Sequence, residues 1–438
     1  MPNVVDITSS DAVRGADGSG GLSVSREMLA LVNKAGYLTA GTGAQSLRNL
    51  FRNGSQDFKP ELLKQFALNC FFGQIQEVKA MVESGRAPDL SGTETPFKFG
   101  YCTLVVMGSQ RGAADISGGT ERFVNTLKFL LAHGAPTDVE DVVGHIVLHH
   151  SAQYCQGCTV VLMRMLLAAG ANPNHRNKYG EVPIFSAFQA NTADAVELLM
   201  EYGADLDIAD AEGTSPRSIF LSAGPQVTAA VMKWLRKRSG EEMPMAEGKV
   251  CHNCGKIEGK LNICSRCHTA WYCSKDCQRV DWPNHKRTCK SYNESNAVTV
   301  RPFYNSTNNL QLLPTADVVR DRLNISMTPA QARSSAQVPR VRPGEAKMLV
   351  VKVQAPYRSP DMQPRRASEE SGDLLVYDKK RSLTCRIRKA ENGSAYMRIL
   401  RTVREKGIGG LKAYFPAELK SKDELVVKVG EVLAEQPF

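Results

Sequence analysis

The sequence predicts a multi-domain chain: an all-α repeat array, a small cysteine-rich module and a C-terminal α+β domain. Three observations carry that reading. Apolar helical phrases ending in glycine recur through the first half of the 438 residues, seven of the twelve cysteines fall between Cys251 and Cys289, and alternating apolar runs resume near Met348. A chain of this length is expected to hold two or three domains, and 42% apolar residues suffice for packed cores.

Residues 1–25 are rich in Gly, Ser and Asp and are expected to form a flexible leader. Asp6 and Asp11 interrupt any apolar core of signal-peptide length, and no later run of eighteen apolar residues exists. The expected setting is therefore intracellular, cytoplasm or nucleus, with no membrane partner and with reduced cysteines. Ser25 to Arg52 predicts two short helices around Gly36 and Gly41, which completes a first region over 1–59.

From residue 60 to 238 the phrases EVKAMVESGRAPD, TLKFLLAHGAPTD, LMRMLLAAGANPN and VELLMEYGADLD repeat one design. Apolar residues at helical spacing, as at Leu127/Leu130/Leu131, precede a glycine that ends the helix in the left-handed region without steric cost. The glycines are Gly85, Gly134, Gly170 and Gly203, at intervals of 49, 36 and 33 residues. The other half of each unit opens on Thr95-Pro96, Val182-Pro183 or Ser215-Pro216, where proline suits the first helical position. Thr95 or Ser215 can cap; Val182 cannot. A period near 33 resembles ankyrin repeats. The 49-residue interval implies an insertion near Gly108–Thr120, and the histidine corner of the repeat signature is read as absent. The resemblance implies an ankyrin-like solenoid with a concave protein-binding surface, against the plainer alternative of a spacer.

A polar linker, 239–250, leads into the spacing C-x2-C-x9-C-x2-C-x5-C-x3-C-x7-H-x3-C. This is four close pairs: Cys251/Cys254, Cys264/Cys267, Cys273/Cys277 and His285/Cys289. Eight thiolate or imidazole ligands satisfy two tetrahedral Zn2+ ions, both structural because no position is left open for water. A C-x2-C step aims two sulfurs from one tight turn, whereas C-x3-C and H-x3-C set ligands one helical turn apart, so the last two pairs are expected on short helices. About forty residues bury too little apolar surface to fold alone, and the metal is expected to supply the deficit. A disulfide framework is disfavoured by the odd cysteine count and the well-placed histidine. His252 and His268 read as solvated neighbours of the ligands.

With Tyr272 just before the fifth ligand and Trp282 three residues before His285, the segment resembles the MYND zinc finger. The resemblance implies interleaved sites, with Cys251, Cys254, Cys273 and Cys277 on one ion and Cys264, Cys267, His285 and Cys289 on the other. Spacing alone leaves sequential pairing open. It also implies binding of proline-containing peptides through Gln278 and Trp282, an amide and a flat indole suited to a rigid polyproline-type ligand. In the repeat region, His149, His150, Cys155 and Cys158 raise a third zinc site, but a histidine pair on one predicted helix and cysteines in the next loop need not converge.

Residues 290–345 look mixed, with a short helix expected at Thr315–Leu323 and an extended stretch at Thr328–Gly344. Over 346–438, MLVVKVQ, DLLVYD and SLTCRIR read as strands and SAYMRILRTVREKG as a helix capped by Ser394 and stopped by Gly407. LKAYF and ELVVKVG close the α+β domain as strands. Arg365-Arg366 before Ser368 makes that serine a candidate kinase substrate.

The formal charge of +10 divides as −4 over 1–250, +4 over 251–300 and +10 over 301–438. Two zinc ions on seven thiolates bring the finger to about +1. Lys379, Lys380, Arg381, Arg386, Arg388 and Lys389 crowd one hairpin, but only Tyr377 is interleaved, so solvated strand faces are favoured over a nucleic-acid surface. Closed zinc sites cannot activate water, and no P-loop, G-x-S-x-G turn or dinucleotide fingerprint occurs. The expected function is a non-enzymatic interaction adaptor. A nucleic-acid-associated regulator is the alternative, followed by a SET-MYND-like lysine methyltransferase; for the latter, only Cys385 follows the finger, and Asn-His occurs only at Asn174-His175 and Asn284-His285.

Overall fold

The computed structural model describes residues 16–111, 119–155, 157–240, 250–256, 259, 261–267, 270–289, 293, 295–304, 341, 346–356 and 372–434. Expectations for the first fifteen residues, the centre of the insertion, most of the linker, the Thr315–Leu323 helix, nearly all of Thr328–Gly344, the Ser368 site and His268 lie outside the described residues. The chain divides into two compact units at Trp234/Leu235.

The first unit opens with α1 (Arg26–Val32) and α2 (Ala44–Ser55), the two short helices expected. Residues 16–25 differ from the flexible leader predicted. The Gly18 amide donates to the Leu62 carbonyl at 2.9 Å, the Lys59 amide donates to Gly20, and Leu22 is buried. Gly18, Gly20 and Gly21 all have positive φ, and a Cβ on Gly20 would press on Phe58 and Leu63. The glycines that make the stretch look loose are what let it lie flat against the chain.

Helices α3 (Gln65–Phe72) and α4 (Ile75–Glu83) form the first pair, and a two-stranded ribbon, β1 (Thr93–Glu94) and β2 (Phe99–Gly100), follows. Then come α5 (Tyr101–Arg111) with α6 (Glu121–Ala132), α7 (Val147–Gln153) with α8 (Cys158–Ala168), and α9 (Pro183–Ala190) with α10 (Ala193–Glu201). The last helices of this region are α11 (Pro216–Ile219) and α12 (Pro225–Ser239). α3, α5, α7 and α9 pack in succession, as do α4, α6, α8 and α10. Gly85, Gly134, Gly170 and Gly203 take φ of 70° to 96°, the left-handed helix ends that their spacing predicted.

Ser215 accepts from the Ser218 amide, and Val182 offers no side-chain cap, as expected. Thr95-Pro96 is a correction: no helix begins there. Thr95 has φ 73°, its hydroxyl accepts from the Phe97 amide, and it turns β1 into β2, with α5 starting at Tyr101. The histidine corner is also present in one repeat, contrary to the reading above. His149 Nδ1 accepts from the Ile146 amide at 3.3 Å and closes the start of α7. Ile146 and Val147 stand where the signature has Thr-Pro, which hid the histidine. Gly108, read as the edge of the insertion, sits inside α5 where that helix crosses α3.

A Cβ on Gly108 would lie 1.7 Å from the Phe71 carbonyl oxygen. Alanine favours a helix by about 1 kcal/mol over glycine, so Gly108→Ala at a tolerant site would stabilise. Here the backbone must separate, and a loss above about 4 kcal/mol is expected by chemical denaturation. A neutral or stabilising result would mean that α3 and α5 do not approach this closely.

The second unit holds the cysteine-rich segment and a six-stranded antiparallel sheet. In the former, the hairpin β3 (Asn262–Ile263) and β4 (Trp271–Tyr272) precedes α13 (Lys275–Thr288). The sheet runs β5 (Val298–Val300), β10 (Glu424–Val427), β9 (Lys412–Ser421), β6 (Lys347–Gln354), β7 (Leu374–Asp378) and β8 (Thr384–Ile387). β5 falls in the segment read as a linker; three residues are too few to display a period-two pattern. Just beyond it, Phe303 and Arg386 exchange both backbone hydrogen bonds, so the segment that supplies β5, one end of the sheet order, goes on to pair with β8, the other end. Both sheet edges are thereby capped by the same chain.

α14 (Lys389–Lys406) lays Tyr396, Ile399, Leu400 and Val403 on the sheet, a period of three and four that matches its buried face. Its start corrects the prediction: Arg388 is the N-cap, and Ser394 follows a break at Gly393. Gly407 is the C-cap, as expected.

Candidate metal centre

Each ligand pair is delivered by a different local device. Cys251 and Cys254 share a tight turn in which Gly255, at φ 74°, donates to the Cys251 carbonyl. Cys264 and Cys267 lie on the turn after β3, where the Cys264 amide donates to the Ala270 carbonyl. The remaining pairs correct the expectation of two short helices. A single helix, α13, is capped by Ser274, whose hydroxyl accepts from the Cys277 amide. Cys273 therefore stands just before the helix and Cys277 in its first turn, while His285 lies in the last turn and Cys289 is the C-cap.

The eight side chains converge as two sets, within each of which the ligand atoms lie no more than 4.8 Å apart. Cys251, Cys254, Cys273 and Cys277 form one; Cys264, Cys267, His285 and Cys289 form the other. Sulfurs bound to one zinc at about 2.3 Å stand about 3.8 Å apart in a tetrahedron. Cys254 and Cys273 are 3.6 Å apart, Cys273 and Cys277 3.5 Å, Cys264 and Cys289 4.0 Å, and Cys267 Sγ is 3.4 Å from His285 Nε2. Burial holds the His285 imidazole below its usual pKa, which keeps the ring neutral and its lone pair available. The sets are interleaved. Both match two structural zinc ions.

Residues 251–289 match the family model of the MYND finger. Residues 118–210 match that of ankyrin repeats, in three copies, inside the 60–238 expected. Histone-lysine N-methyltransferase SMYD3 of Homo sapiens is 49% identical over 45 residues, 10% of this chain and 10% of that protein. Egl nine homolog 1 of Homo sapiens is 50% identical over 40 residues, 9% of each chain. The E3 ubiquitin-protein ligase KEG of Arabidopsis thaliana is 33% identical over 102 residues, 23% of this chain and 6% of its own length. The chain thus spans about a tenth or less of these relatives, and the SMYD likeness is confined to the finger.

Around the MYND finger's ligands, Tyr272 donates its hydroxyl to Asp281 at 2.7 Å, tying β4 to α13, and its ring meets His285 edge-on. Trp282 lies against His285 with ring centroids 5.9 Å apart, yet remains 37% exposed. Gln278, one turn earlier on α13, is half-buried on the same side.

The third-site ligands raised by the sequence do not assemble. Cys155 Sγ meets the Met163 thioether, Cys158 donates to the Thr120 carbonyl, and His149 Nε2 faces the Glu181 carbonyl. In the basic hairpin, Arg381 stacks on Tyr377, Arg388 covers Phe303, and Arg386 pairs with Asp373. Those three side chains are engaged within the domain. Sequence reasoning missed Lys428, which is fully buried and donates to the carbonyl of the zinc ligand Cys267. As one lysine in an alternating strand, it carried no signal of that contact. No described helix is long and apolar enough to cross a membrane.

Proposed function

We propose that the chain is a zinc-dependent adaptor whose MYND finger binds proline-containing peptides and whose ankyrin repeats, stacked as a solenoid, bind a second protein. The observation that carries the peptide reading is the exposed face of Trp282, one turn from Gln278 on a helix held at both ends by zinc ligands. A flat apolar surface beside an amide suits a polyproline-type segment, whose backbone carbonyls need donors and whose ring edges need an aromatic platform. Contact with His285 fixes the indole before a ligand arrives, which lowers the ordering cost of binding. The closed zinc sites offer no open position for catalysis, so the finger's role is recognition rather than chemistry.

The test is a proline-containing peptide library read by fluorescence polarisation on the full chain. Trp282→Ala is expected to weaken the best binder roughly thirtyfold, equivalent to about 2 kcal/mol, with both of the finger's zinc ions retained. Unchanged binding in that variant, or no peptide bound by the native chain, would overturn the reading and move the search to the repeats.

A further inference from the structure

Three successive ankyrin repeats use one turn, in which a side-chain oxygen accepts from the amides two and four residues on. Asp141 Oδ1 takes Val143 and His145, Asn177 takes Tyr179 and Glu181, and Asp210 takes Glu212 and Thr214, all at 2.8–2.9 Å. One oxygen of Asp141 is thus committed to the fold. Its second oxygen faces two imidazoles: His150 Nε2 at 3.0 Å and His145 Nδ1 at 3.5 Å. The equivalent positions in the next repeats are Glu181 and Ser186, then Thr214 and Ile219. Neither of those turns needs an imidazole, so the turn does not explain the two rings.

The geometry points to a third metal site, formed by Asp141, His145 and His150, that takes a divalent first-row transition ion preferring nitrogen and oxygen ligands. The three ligand atoms lie within 4.8 Å of one another. Nitrogen and oxygen ligands at 2.0–2.1 Å from a tetrahedral ion stand about 3.3 Å apart, between the two distances observed. Two imidazoles and one carboxylate leave coordination positions open, unlike the closed sets of the finger. Asp141 is 5% exposed and both rings are mostly buried, with Phe51 edge-on to His145 and Phe99 edge-on to His150. His149 is not a ligand. Its Nδ1 holds the Ile146 amide, and burial keeps the ring neutral.

The competing account is a metal-free network in which the histidines simply hydrogen-bond the carboxylate. Equilibrium dialysis of the full chain against Zn2+, with metal counted per chain, separates the two. The native chain is expected to hold three ions, and His150→Gln and Asp141→Asn two, with helicity unchanged. Asparagine keeps the turn, as Asn177 does in the next repeat, and removes only the charge. If His150→Gln lost helicity, the Asp141→Asn count would decide alone. Two ions in the native chain, or an equal count in native and Asp141→Asn protein, would overturn the assignment.

Discussion

Replacing Cys273 by serine is expected to lower the zinc held by the finger from two ions to nearly none, rather than to one. Among the described residues the finger has almost no core besides its ligands: Ala270 and Tyr272 are the only other buried residues in its cluster, with Leu261 packed at the edge. Zinc therefore supplies most of the folding free energy, roughly 10–16 kcal/mol per site in comparable peptides. Because the sets interleave, α13 is anchored to one ion at its start and to the other at its end. Freeing the start releases Tyr272 from Asp281 and loosens the scaffold that presents His285 and Cys289. Elemental analysis and the fluorescence of Trp271 and Trp282 would follow both steps, while the repeats' helical circular dichroism should persist. One finger ion retained with native fluorescence would show instead that the two sites fold independently.

The parts most legible in the sequence were those whose chemistry is local. A C-x2-C turn, a glycine that must take positive φ, and an alternating strand each carry their reason within a few residues, and the eight ligands and the repeat phrases were read from such patterns. The partition of the ligands was not derivable from spacing; it depends on β3 and β4 folding back so that Cys264 and Cys267 meet the far end of α13. Long-range closures were equally hidden. β5 is too short to announce itself, and its place beside β10 depends on a partner more than a hundred residues away. The Asp141, His145 and His150 cluster was hidden because its ligands are spaced four and five residues apart across a turn and a helix start, although DVVGH followed by a histidine pair departs visibly from the Asn177 and Asp210 turns. His149 shows the reverse error: a family signature with its Thr-Pro replaced still kept the hydrogen bond that defines it.

Lys428→Ala is expected to cost about 3–5 kcal/mol, because it strands the partners of a buried cation. The ammonium has no solvent exposure; it pairs with Glu431 at 2.6 Å and donates to the Cys267 carbonyl at 3.1 Å. Alternation along β10 would give this residue a solvent-facing position, but the MYND finger covers that side and makes the lysine a bridge between the second zinc site and the sheet. Truncation leaves a mostly buried carboxylate and a carbonyl without this donor, and the loss should appear in denaturant unfolding as a lower midpoint at unchanged slope. A buried ion pair need not be a net gain over apolar packing, so Lys428→Met with Glu431→Leu should recover much of the loss while Lys428→Met alone does not. A Lys428→Ala effect within about 0.5 kcal/mol of zero, the range of an ordinary surface substitution, would show that the bridge is not formed. If the bridge holds, zinc loss in the finger should also loosen the adjoining end of β10, measurable as faster amide exchange near Lys428 in the Cys273→Ser chain.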